Sequence, residues 1–189
     1  MRKVILNLAV TLDGFIEGPN GEVDWCSFDE VSGPDNDIES HFDTFLESID
    51  TIFYGRVSYE MWGEYQPATH APHGEKKLWD NVHKKKKYVF SSSPMHDNRV
   101  TYINTDIAKT VSEIKAKAGK DIWMYGGAGL ITSFMNMKLI DKFLIAVYPV
   151  ILGSGKPLFS AIQNRIGLKL IDATPSKSGV ILLNYETDR

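Results

Sequence analysis

The chain has 189 residues, 24 acidic against 21 basic, and a formal charge of −3. That length suits one domain with a sizeable core, and the charge gives no electrostatic reason to expect nucleic acid or an anionic membrane as partner. Cys26 is the only cysteine, which excludes an internal disulfide and every multi-cysteine zinc site, and makes a reducing cytoplasm the natural compartment.

In chain order, Val4, Leu6, Leu8, Val10 and Leu12 alternate with more polar residues, so roughly 3–12 reads as a strand rather than a leader, ending at Asp13-Gly14. A loop rich in glycine, proline and acids follows. Ile38, Phe42, Phe45, Leu46 and Ile49 recur at helical spacing and predict a helix over about 37–49. "TIFYG" (51–55) is a short strand, and Arg56 to Trp62 opens a further helix. A loop with Pro67, Pro72 and Gly74 leads to a helical piece near 75–83. The lysine run in "HKKKKY" (83–88) reads as a solvated loop, with strands at 87–92 and 100–103 after it.

A helix is expected at 107–117, a strand in "DIWMYGG", and a helix over 128–137 after the glycines. "IDKFLIAVYPVIL" (140–152) predicts a long strand, with Pro149 marking an interruption or an edge. It is too short to span a bilayer. Strands at 168–174 and 179–187, joined at Pro175–Ser178, form a hairpin. No repeat or linker appears, so residues 1–189 form a single α/β domain: a central mixed, mostly parallel sheet flanked by helices, with a C-terminal antiparallel hairpin.

Three segments sit at the ends of strands, where open α/β sheets place ligands. In Gly126-Gly127-Ala128-Gly129-Leu130, bare backbone opens a helix whose unpaired N–H groups suit a phosphate, although the same pattern also makes a plain tight turn. Gly55-Arg56-Val57-Ser58 offers a guanidinium and a hydroxyl, or an ordinary helix start. Ser91-Ser92-Ser93 offers hydroxyls, or a turn. His70 and His73 have metal-like spacing but no third ligand near, so no metal is expected. Cys26 has no histidine placed to activate it.

Over nearly its whole length, and in the same order, the chain resembles the dihydrofolate reductase superfamily, most closely its riboflavin-biosynthesis reductase branch. "LAVTLDGFI" resembles the family's first strand and loop. "YGRVSYE" resembles its G-R-x-T-Y-E segment, and "YVFSSSP" with "RVTYI" its adenosine-side strands. "YGGAGLITSF" and "LIDKFLIAVYPVILGSGKPLF" resemble its glycine-rich segment and riboflavin-type ending. The resemblance implies an NADPH-dependent reductase of a small conjugated heterocycle, with 5-amino-6-(5-phosphoribosylamino)uracil the first substrate to consider. A pterin or dihydrofolate reductase and a non-catalytic NADP-binding module remain open.

By the same resemblance, Gly126, Gly127, Ala128, Gly129 and Leu130 would cradle the pyrophosphate. The segment opened by Gly55 and Arg56, with Ser58, Ser91 and Ser92, would hold the adenosine 2′-phosphate. Ala9 and Ile16 would meet the carboxamide of the nicotinamide, and Asn7 and Trp25 the substrate. Asp37, Glu39 and Asp43 compete for the carboxylate that folate reductases carry on the first helix; an ungapped count back from Gly55 lands nearest Glu39. Gly129 stands where relatives often carry a basic residue, and Val57 where many have a polar one. The deaminase signature often fused to such reductases is absent. Riboflavin-type relatives commonly pair, which implies a homodimer.

Overall fold

Val4, Leu6, Leu8 and Val10 alternate with Ile5, Asn7 and Ala9, and a strand sends alternate side chains to opposite faces. In the computed structural model, which describes residues 1–26, 36–71, 73–93 and 97–188, this segment is β1 (Val4–Thr11), inside an eight-stranded sheet. The chain continues through β2 (Phe15–Glu17), α1 (Asn36–Ser48), β3 (Ile49–Gly55) and the short α2 (Arg56–Ser58), which runs into a π-helical turn, Tyr59–Gly63. Next come α3 (His73–His83), β4 (Lys86–Phe90), β5 (Thr101–Ile103), α4 (Ile107–Ala116), β6 (Asp121–Gly126) and α5 (Ala128–Asn136). The C-terminal part is β7 (Lys142–Tyr148), β8 (Lys156–Pro157), β9 (Leu168–Pro175) and β10 (Ile181–Thr187).

The sheet order is β5-β4-β3-β6-β1-β7-β10-β9. The first six strands are parallel; β10 runs antiparallel to both β7 and β9. This is the mixed, mostly parallel sheet with a C-terminal hairpin that the sequence predicts. Helices cover both faces, as parallel strands require. On one face α4 and α5 bring Val111, Ile114, Ile131 and Phe134 against Val4, Leu6, Phe53 and Phe143. On the other, α1 and α3 bring Phe45, Leu46, Trp79 and Val82 against Ile5, Ile52, Tyr54 and Trp123. Each fully buried ring or branched chain of this kind contributes about 1.5–3 kcal/mol.

Three sequence expectations are corrected, and one element is added. The strand predicted to run to 152 stops at Tyr148, because Pro149 has no N–H to continue the ladder. Pro175 ends β9, and the turn is carried by Ser176–Gly179, where Gly179 has φ +85 and Ser176 N–H bonds Val180 O at 2.8 Å. A two-stranded ribbon, β2 with β8, is additional. It closes against Gly155, where a Cβ would stand 2.2 Å from Glu17 O, so only glycine fits.

The lysine run is no solvated loop. Lys87 is buried in β4 and pairs with Glu64, while Lys85 Nζ–H donates to Leu46 O and Ile49 O where α1 passes into β3. Burial opposes the charge on Glu64, but Lys87 and Arg99 outweigh it and hold its carboxyl below the usual range. At the N-terminal strand ends, opposite the cleft described below, Arg2 is buried against Asp50 and Thr51, and Lys115 Nζ lies 2.6 Å from Asp141 Oδ2.

Candidate active site

Because β1, β3, β4, β5 and β6 run parallel, their C-terminal ends finish on one side of the molecule. There a cleft of about 1070 Å³ opens. It is large for one small molecule and roomy enough for a dinucleotide beside a second ligand.

One half is built from backbone. β3 ends at Gly55 in extended geometry, and α2 begins at once. β6 ends at Gly126, with φ +114 and a cis Gly126–Gly127 peptide, and α5 begins at Ala128. The two turns touch. A Cβ on Gly55 would lie 3.4 Å from Gly126 O, and one on Gly127 would lie 3.0 Å from Ser58 Oγ. Side chains at these glycines would push the turns apart. A Cβ on Gly129 would meet nothing within 4 Å, so the first turn of α5 is bare toward the cleft. The N–H groups there have no acceptor within the helix, and the helix start carries partial positive charge.

Gly55, Arg56, Ser58, Ser91, Ser92, Gly127, Ala128, Gly129 and Leu130 all line this half. Gly126 does not; it is buried behind the cradle, with Ile131 Cδ1 3.1 Å from where its Cβ would stand. Arg56 is half-exposed, and its Nη1 lies 2.8 and 2.9 Å from the two carboxylate oxygens of Glu60 one turn on. The Ser91 hydroxyl closes a turn, donating to Ser93 O at 2.9 Å and accepting from Ser93 N–H at 3.1 Å. Ser92 is exposed at the rim.

The other half is built from side chains. Asn7 and Ala9 of β1 form part of its floor, and Ile16 of β2 lies at its edge. Trp123 Nε1–H donates to Asn7 O at 2.9 Å, fixing strand and ring together. Ile38, His41, Phe42 and Phe45 of α1 form the roof, at spacings of three and four. Trp25, in a 3₁₀ turn at Asp24–Cys26, is 8% exposed and meets Tyr148 edge-on at 5.6 Å. Its Nε1–H is buried without an acceptor among the described residues. A buried orphan donor costs about 1–3 kcal/mol unless a ligand pairs it.

Of the acids proposed for catalysis, the side chains of Asp37 and Glu39 lie outside the described residues. Asp43 is directed elsewhere, its Oδ2 2.5 Å from Lys77 Nζ of α3. The Cys26 thiol is pushed up to about 11 by burial and donates to Val23 O, which leaves it unreactive at neutral pH. The structure adds His41, Asp172, Thr174 and Asn184 to the cleft. In the sequence the last three are only polar residues interrupting "LKLIDAT" and "GVILLNYET", with nothing to place them together.

A mostly parallel sheet with a C-terminal hairpin, and a cleft joining a glycine-built helix start to an aromatic-walled pocket, is the dihydrofolate reductase-like fold. Within it, the chain belongs to the reductase-like RibD C-terminal domain family, whose model matches residues 2–182. It is 50% identical over 185 residues, 97% of this chain and 94% of the other, to the uncharacterized protein YyaP of Bacillus subtilis. Its structure is similar to that of a Shewanella sp. PV-4 protein assigned to riboflavin biosynthesis, with TM-score 0.80, 22% identity and full coverage of both chains. It is also similar to dihydrofolate reductase from Enterococcus faecalis complexed with NADP(H), with TM-score 0.65, 14% identity, and coverage of 99% of this chain and 97% of that one.

Proposed function

We propose that this protein is an NADPH-dependent reductase that delivers hydride to a small conjugated heterocycle. The observation that carries the proposal is the continuity of the cleft. A bare helix start fit for a pyrophosphate opens into a pocket holding Asn7 and the orphan Trp25 donor. Ser58 and the exposed Arg56 stand beside that start, where a 2′-phosphate would find a hydroxyl and a guanidinium.

The residues present fit such a cofactor, because Gly129 leaves open space that a larger side chain would fill, and Gly127 lets Ser58 stand close beside the helix start. Bound there, the cofactor would supply the hydride. The chain's own part is positioning. The N–H groups of Ala128, Gly129 and Leu130 bind the pyrophosphate, and the backbone of Ala9 and Ile16 orients the carboxamide. Trp25, Phe42 and Tyr148 exclude water from the pocket wall.

For the substrate, family membership favours a ring of the aminopyrimidine type, 5-amino-6-(5-phosphoribosylamino)uracil being the reference compound, with pterins second. We read the enzyme as cytoplasmic, consistent with its single cysteine. We read it as a homodimer; sedimentation showing only monomer rejects the pairing.

The test of function is NADPH oxidation with a panel of pyrimidines, pterins and quinones. Turnover with one of them supports a reductase. Tight cofactor binding without any turnover supports a non-catalytic NADP-binding module instead.

A further inference from the structure

Charge is unevenly divided along this chain. Between Lys3 and Arg56 there is no lysine or arginine, yet that stretch holds half of the 24 acidic residues. It supplies β1, β2, α1 and β3, hence much of the floor and all of the α1 roof of the side-chain half of the cleft.

The cleft lining has the same bias. Its acidic and basic side chains among the described residues are Glu17, His41, Arg56, Lys156 and Asp172, besides the thiol of Cys26 and the phenols of Tyr125 and Tyr148. Arg56 belongs to the backbone-built half and is bonded to Glu60. Lys156 is ion-paired with Glu17 across the β2–β8 ribbon. On the sheet side, facing the pocket, the remaining charge is Asp172, whose carboxylate accepts from Thr174 Oγ1–H at 2.6 Å.

Strand register sets Asp172 within a polar row. Asn7 pairs with Leu144, Leu144 with Asn184, and Asn184 with Asp172, and all four line the cleft. Adjacent strands lie about 4.8 Å apart, so the row reaches roughly 14 Å from the floor at Asn7 to the mouth at Asp172. Among the described residues Asn184 Oδ1 is buried without a donor, just as Trp25 Nε1–H is buried without an acceptor. One wall therefore has an unused acceptor and another an unused donor, while among the described residues an anion in that half would face the Asp172 carboxylate and, at the ribbon, a lysine already held by Glu17.

We propose that this half of the cleft takes a conjugated ring presenting both an N–H donor and a carbonyl or ring-nitrogen acceptor, and bearing no phosphate or carboxylate. Asn184 and Trp25 pair the ring's polar edge with Asn7 beside them, and Asp172 turns anionic substituents away. This rests on the reductase reading and narrows it: the unphosphorylated ribosylaminopyrimidine or a simple pterin fits, whereas a phosphorylated ring or a glutamate-tailed pterin does not.

The test is calorimetric titration of the full-length protein saturated with NADP⁺, using two matched pairs. One pair is 5-amino-6-(ribosylamino)uracil and its 5′-phosphate; the other is 6-hydroxymethylpterin and 6-carboxypterin. The uncharged member of at least one pair is expected to bind at least tenfold more tightly than its anionic partner. Asp172→Lys should erase that difference or reverse it. Asp172→Asn, nearly the same size and placed on an exposed strand, should narrow it about threefold if the lysine variant fails to fold. Equal or tighter binding of the anionic members overturns the proposal, and so does failure of all four compounds to bind. The NADP⁺ titration that precedes these measurements reports separately on the reductase reading. If it shows no binding, that reading fails, and the same ring comparison on the cofactor-free protein still decides this one.

Discussion

The two halves of the cleft are made by different means. The half proposed for the cofactor is backbone from short contiguous segments, with the turns at Gly55 and at Gly126–Gly127 packed closely and Gly129 bare. The half proposed for the substrate is side chains collected from β1, β7, β9, β10, α1 and the 3₁₀ turn at Trp25, each one residue among unrelated neighbours. A backbone cradle recognises a phosphate whatever ring is attached to it. A side-chain row recognises one ring and can change without disturbing the fold. Within one family, then, the first half should be the common part and the second the part that sets the substrate.

The largest expected effect breaks the backbone half. Gly127→Val would add branched carbons where a single Cβ already stands 3.0 Å from Ser58 Oγ. NADPH affinity should fall at least 100-fold, about 3 kcal/mol, with the circular dichroism spectrum kept. Loss of fold instead would mean that Gly127 serves packing rather than binding.

Next comes the side-chain half. Trp25→Phe keeps an aromatic ring against Tyr148 and removes only the orphan Nε1–H. If a substrate uses that donor, KM should rise about tenfold, near 1.4 kcal/mol, with little change in kcat; an unaltered KM would show that the donor is idle. Arg56→Gln should reduce the preference for NADPH over NADH by roughly tenfold, the scale of one charge-assisted hydrogen bond. Stability should hardly move, because an exposed i,i+4 pair with Glu60 contributes little.

The smallest effect concerns Cys26, which ends the 3₁₀ turn and lines the cleft. Burial raises its thiol to about 11, so the folded state favours the neutral form. Its contribution is therefore complete below the unfolded thiol value and is lost as pH rises from about 9 toward 11. Denaturant midpoints of the native protein and Cys26→Ala, compared at about pH 8 and pH 10.5, should converge by on the order of 1 kcal/mol at the higher pH. A constant difference would show the thiol to be solvated.

The same contrast explains what was legible in the sequence. Alternation in β1 and helical spacing in α1 survive any local reading, since burial by one face writes them directly into residue order. β2 and β8, three and two residues long, are fixed by pairing with each other and leave no periodic trace. Lys87 looked solvated because its partner Glu64 is distant in sequence. The glycine cradle was legible because it is local. Asn184 and Asp172 were not, because only the register between β10 and β9 makes them neighbours of each other and, through β7, of Asn7.

The measurement closest to the central claim is a fluorescence titration of the full-length protein with NADPH, run beside NADH. Saturable binding at about 10 μM or tighter, weaker for NADH, is the predicted result. No saturation by NADPH at micromolar concentrations would contradict the assignment of this cleft to that cofactor.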